Sequence, residues 1–192
     1  VLGDVEGAVV ASAFGYFSAG LVDKRWSTAK ERMAPRDAAR LYLAASHDLA
    51  RAKLGEADLG AFCEAAAAIV DAIDPAALAL FAGLAAEPVP TDVPARAYHL
   101  CNVLREGRGS THLLAIRAVG LSPREAHQIK RPTELAAFGW DSELELTDDH
   151  RRRWDEAEEL TNALLEPAWA VLDDAGRQAV IDGVATISAA YA

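Results

Sequence analysis

The sequence predicts an all-α protein. In a chain that is 52 % hydrophobic, alanine runs far ahead of the β-branched residues, and Ala, Leu, Glu and Arg are strong helix formers. Apolar positions recur every three or four residues, the period of a buried helical face. Only Leu144-Glu145-Leu146 alternates as a strand would. With 192 residues the chain can bury a substantial core, as one large domain or two small ones.

Taken in order, Asp4–Ala19 reads as a helix with Val5, Val9, Ala13, Phe14 and Phe17 as its stripe, and Trp26, Met33 and the charges between them as a connector. Pro35 opens the next helix, at a position that needs no N–H. Arg36–Leu54 carries Leu41, Ala45, Leu49 and Ala52 on one face, with His47 off that face, and Gly55 stops it. Ala57–Ala72 is amphipathic, with Leu59, Phe62, Cys63, Ala66, Ile69 and Val70 inward. Asp74-Pro75 caps a short helix to Leu84. Glu87-Pro-Val-Pro-Thr-Asp92 cannot be helical and divides a helical domain, 1–88, from a second region, 93–192.

Beyond this hinge Pro94–Glu106 is helical, and Gly107 and Gly109 are expected to break it. A short apolar helix, Ser110–Val119, then turns at Gly120 into Ser122–Lys130, whose Ser-Pro-Arg-Glu start is a capping box with proline at N1. Apolar helix, glycine turn, capping residue and apolar anchors together form the layout of a helix-turn-helix. Leu144–Thr147 would be one leg of a degenerate wing. Thr147-Asp148-Asp149 caps a long helix, His150–Glu166, and Asp173–Tyr191 closes the chain.

Charge singles out the same region. Residues 105–131 carry six cations (Arg105, Arg108, Arg117, Arg124, Lys130, Arg131) against Glu106 and Glu125, a balance of +4 in a chain of net charge −10. The overall charge opposes unspecific adhesion to DNA or anionic membrane, so any nucleic-acid surface must be local. The run His150-Arg151-Arg152-Arg153 sits among carboxylates four residues away and reads as a solvated helix face.

Arg105-Glu106-Gly107-Arg108-Gly109-Ser110-Thr111-His112 is unlike a packing motif. Arg105, Arg108 and His112 around a glycine turn would make a cationic pocket at a helix N-terminus, suited to a small anionic ligand, with Glu106 fixing an arginine or orienting the histidine. A solvated turn with internal ion pairing is the alternative. Across the turn, Arg124, His127, Lys130 and Arg131 would face a partner or the phosphates of double-stranded DNA.

These residues resemble the actinobacterial helix-turn-helix family typified by a Streptomyces coelicolor member. Leu104–His112 matches its LREHRGDGH pattern at Arg105, Glu106, Arg108, Gly109 and His112, with Gly107 replacing a histidine and Ser110-Thr111 replacing Asp-Gly. Ser46-His47-Asp48 is similar to its Phe-His-Pro segment with the histidine kept, and Gly139-Trp140-Asp141 to its GW-acidic turn. The resemblance implies a helical N-terminal half before a winged-helix-like C-terminal half, and adds His47 to the ligand-binding set. Relatives carry a full helix between Trp140 and Leu146; either this member has lost it or residues are missing from the chain there.

Other chemistries find no motif. His47, His99 and His112 lack metal-ligand spacing, no GxSxG elbow accompanies Ser110 or Ser122, and neither a Walker loop nor GxGxxG announces a nucleotide cofactor. No catalytic residue, metal or cofactor is therefore expected, and an enzyme is the third-ranked reading. No apolar run approaches a membrane span of roughly 18 residues. Asp4 and Glu6 argue against a signal peptide, and Val1 in place of Met suggests a processed or trimmed chain. Cys63 and Cys101, outside any CxxC pattern, fit buried free thiols in a reducing cytoplasm. The expected function is a cytoplasmic regulator, homodimeric through its C-terminal helices, with a small-molecule pocket; a ligand-binding protein or enzyme accessory without DNA contact is the alternative.

Overall fold

A computed structural model describes residues 1–192. It is all-helical: α1 Gly7–Phe14, α2 Ala19–Lys30, α3 Pro35–Leu54, α4 Gly60–Ala72, α5 Ala79–Ala85, α6 Val93–Ala118, α7 Pro123–Lys130, a 3-10 helix Pro132–Phe138, α8 Asp148–Trp169 and α9 Asp174–Tyr191. No helix is long and apolar enough to cross a membrane.

The main core surrounds α4. Phe62, Cys63, Ala66 and Ile69 of α4 meet Ala50 and Leu54 of α3, Phe81 and Leu84 of α5, Leu100 and Val103 of α6, and Val180 and Ile187 of α9. Helices from both sides of the 87–92 hinge thus share one apolar interior. A smaller core joins Ala115 and Ile116 of α6, Leu121 in the turn, Ala126 of α7 and Ala157 of α8.

Several boundaries differ from expectation. Residues 20–34 are mostly helical: Ser18 caps α2 by accepting from the Leu21 N–H at 3.3 Å, and the Trp26 indole donates to the Val5 carbonyl at 2.7 Å. In α3 the inward face is rotated from the expected stripe. Leu41 and Leu49 are exposed, whereas Ala50 and Leu54 are buried and His47 turns inward beside Leu43.

The largest difference is α6, which runs unbroken for 26 residues, about 39 Å at 1.5 Å per residue, through both Gly107 and Gly109. A mid-helix glycine costs roughly 1 kcal/mol against alanine and does not by itself end a helix. Gly107 serves a close approach instead: a Cβ there would lie 3.1 Å from Ile73 Cδ1 and 3.3 Å from Phe81.

The expected strand is not formed. Residues 143–147 are irregular, and Gln128 of α7 takes the place of a neighbouring strand. Its amide donates to the Leu144 carbonyl and accepts from the Leu144 N–H, each at 2.8 Å. This segment lies across α7 as a strap, and there is no β wing.

Candidate functional site

A cavity of about 460 Å³ opens between α1, α2, α3, α5 and α6, within the size range of small-molecule sites. Val10, Phe14, Trp26, Leu43, Leu84 and Tyr98 give it apolar walls. Its polar edge is made by Ser46 and His47 of α3 and by His99, Asn102, Arg105 and Glu106 of α6.

Most of that edge is already hydrogen-bonded. Ser46 donates to the Tyr42 carbonyl at 2.8 Å, and the Asn102 amide donates to the Tyr98 carbonyl at 3.0 Å. Arg105 is ion-paired with Glu106. His47 Nε2 lies 3.3 Å from His99 Nδ1, so one proton is shared between the two rings. His99 is only 1 % exposed, and its Nε2 has no partner. Burial, aided by the neighbouring His47, lowers the pKa of His99; burial, aided by Arg51, lowers that of His47.

The rest of the expected ligand set points elsewhere. Arg108 pairs with Glu158 of α8 at 2.6 Å. His112 is buried against α8, its Nδ1 2.8 Å from Thr161 Oγ1, while that hydroxyl donates to the Ala157 carbonyl at 2.6 Å. The hydroxyl must therefore accept from His112, which fixes the proton on Nδ1. Burial lowers the His112 pKa. It also pushes Tyr16 up to about 12, with the Glu158 charge adding to the shift. The cationic pocket expected at residues 105–112 is thus not assembled: without a helix break there is no free N-terminus, and both arginines are neutralised by carboxylates. The structure brings Arg105, Glu106 and His47 to one cavity and sends Arg108 and His112 to the α8 interface.

A helix, a tight turn and a capped second helix follow one another as the sequence predicts. The last turns of α6 meet α7 through a turn in which Gly120 adopts φ 80°, Leu121 N–H bonds to the Ile116 carbonyl at 3.0 Å, and the capping box of Ser122 and Glu125 forms. Two of the four residues expected to face DNA are occupied within the protein. Arg124 donates to the Ser142 carbonyl at 2.6 Å and lies over the Trp140 ring, 5.2 Å from its centroid. His127 is buried, with its ring centroid 4.0 Å from that of Phe138. Lys130 and Arg131 stay exposed, Arg131 pairing with Glu134 at 3.0 Å.

The sequence profile of a helix-turn-helix family matches residues 1–134. The chain belongs to the helix-turn-helix family. No curated protein and no solved structure matches it. The matched span of this helix-turn-helix protein covers all the helices around the cavity, as well as α6, the turn and α7. Sequence reasoning missed His99 as a partner of His47, and Phe14, Trp26 and Tyr98 as cavity wall. The two histidines lie 52 positions apart, and no local spacing links them.

Four histidines of the protein, His47, His99, His112 and His127, have pKa values lowered chiefly by burial. Their imidazoles in the unfolded chain take up protons near pH 6.5, and those in the folded chain do so only at lower pH. Stability is therefore expected to fall as pH drops below about 6.5, by up to about 1.4 kcal/mol per pH unit for each histidine. Asp92 beside Arg51 and Asp149 beside Arg152 have carboxyls held below the usual range, so their contribution persists until more acid pH. Melting temperatures recorded between pH 7.5 and 5 check this; a flat profile would contradict it.

Proposed function

We propose that this chain is a regulator-like helix-turn-helix protein of the cytoplasm that binds a small molecule in the α1–α6 cavity and contacts double-stranded DNA through its helix-turn-helix. The observation that carries the reading is that one helix serves both parts. The first half of α6 supplies Tyr98, His99, Asn102, Arg105 and Glu106 to the cavity, and its last turns lead through Gly120 into α7, the pair taken here as the helix-turn-helix. A ligand that shifts α6 shifts the position of α7. Kinship with actinobacterial members that carry a winged C-terminal half belongs to the same proposal, with the strap in the wing's place. So does a homodimer, supported by the exposed Leu164, Trp169, Ile181 and Val184 on α8 and α9.

DNA contact falls to phosphates rather than base edges in this reading. Arg117, Lys130 and Arg131 are exposed, Arg131 pairing with Glu134, whereas Arg124 and His127 hold the protein's own strap and 3-10 helix. A second reading, a small-molecule-binding protein or enzyme accessory without DNA contact, is favoured by one observation. α7 has only eight residues, and Ala126, His127 and Gln128 are buried.

Fluorescence anisotropy of labelled random-sequence duplex DNA, titrated at low and moderate salt, separates the two. Salt-sensitive binding is expected, with the salt slope falling by about 1 for each of Arg117→Ala and Lys130→Ala that removes a phosphate contact. Flat anisotropy at micromolar protein and low salt sinks the DNA reading and leaves the second.

A further inference from the structure

The chemistry of the cavity wall narrows what can occupy it, on the reading that this cavity is the small-molecule site. Phe14, Trp26, Leu43, Leu84 and Tyr98 contribute surface whose burial drives binding of apolar groups. Arg105, the arginine on the rim, is already paired with Glu106, and the Ser46 hydroxyl and one of the two Asn102 N–H groups are spent on backbone carbonyls. A ligand anion would find no free counter-charge there, and an unpaired ion in an apolar site is costly to desolvate. A ligand cation would have to compete with Arg105 for Glu106.

Among the side chains lining the cavity, the buried polar atom without a partner belongs to the imidazole pair. His99 forms part of the cavity wall and is 1 % exposed. Its Nδ1 faces His47 Nε2 at 3.3 Å, and its Nε2 is shielded from water without a partner. A buried polar atom left unpaired is costly; because no water-sized atom reaches Nε2 in this structure, a ligand oxygen bonds it only by displacing the side chains that cover it. When His47 donates across the pair, His99 carries its proton on Nε2 and is a donor there; when His99 donates, Nε2 is an acceptor. A hydroxyl satisfies both tautomers and a carbonyl the first.

We propose that the cavity takes an uncharged, mostly apolar organic molecule bearing one hydroxyl or carbonyl oxygen, which docks on the His47–His99 pair. The apolar body supplies the affinity, and the oxygen sets the orientation. The site selects against carboxylates, phosphates and sulfonates.

Three fluorescent probes of one shape test this at pH 7: 1-hydroxypyrene, pyrene and pyrene-1-sulfonate, each titrated into the full chain. The hydroxyl probe is expected to bind about 3- to 10-fold more tightly than pyrene, the return on one hydrogen bond, and the sulfonate more weakly than either. Leu43→Trp, which narrows the cavity, is expected to weaken binding of all three. His99→Leu is expected to remove the preference for hydroxypyrene over pyrene while leaving pyrene bound. Should His99→Leu lose its fold by circular dichroism, His47→Leu at the more exposed end of the pair gives the same comparison. Tightest binding of the sulfonate overturns the ligand class and leaves the pocket standing. Equal binding of pyrene and hydroxypyrene overturns the role of the histidine pair. Failure of all three to bind overturns the pocket reading and this inference with it.

Discussion

Gly183→Ala is expected to destabilise the protein by about 2 kcal/mol, although alanine is the better helix former. Gly183 lies inside α9 where that helix crosses α4, and an added Cβ would sit 2.5 Å from the Phe62 ring and 2.6 Å from its Cβ. Phe62 is 2 % exposed at the centre of the main core, so its ring has nowhere to retreat. With contacts this short the overpacking falls at the top of the usual range, about 3 kcal/mol, and outweighs the roughly 1 kcal/mol of helix propensity that alanine brings. Gly109→Ala is the control. It is also mid-helix, but a Cβ there meets nothing within 4 Å, so the same exchange is expected to stabilise by about 0.5–1 kcal/mol. Urea unfolding of the two variants reads the signs directly. Stabilisation by both would mean that α4 and α9 are not in close contact.

Leu121→Ala is expected to cost about 3 kcal/mol, within the usual range for a fully buried leucine. Leu121 has no exposed surface and pins the turn between α6 and α7 to Ile116, Ala126 and Ala157. That smaller core contains five buried residues, against 19 in the main one, so it can give way first. Amide hydrogen exchange should therefore show α7 losing protection while α4 keeps most of its own. Uniform loss of protection over both helices would instead mean that the two cores unfold as one unit.

What was legible in the sequence is what local chemistry writes. The all-α class follows from composition and period. The start of α7 follows from four consecutive residues, Ser122-Pro123-Arg124-Glu125, whose capping box forms as expected. Other features depend on distant partners. Gly107 and Gly109 look like a break because the cost of glycine is local, whereas Ile73 and Phe81, which favour a small residue at 107, come from other helices. α2 escaped notice because none of its residues is fully buried, leaving no apolar stripe to read. Leu144-Glu145-Leu146 has the alternation of a strand, but its hydrogen-bonding partner is the Gln128 side chain. For the cavity, the sequence marked His47, Arg105 and Glu106. It could not mark the pairing of His47 with His99, which exists only once α3 lies against α6.

The packing of α9 onto α4 also sets an order of events during synthesis. The apolar face of α4 that carries Phe62 is completed by Val180, Gly183 and Ile187, about 120 residues further along the chain. At about 5–20 residues per second, the ribosome takes on the order of 6–24 s to cover that interval. Throughout it the apolar face of α4 lacks the residues that cover it in the finished fold.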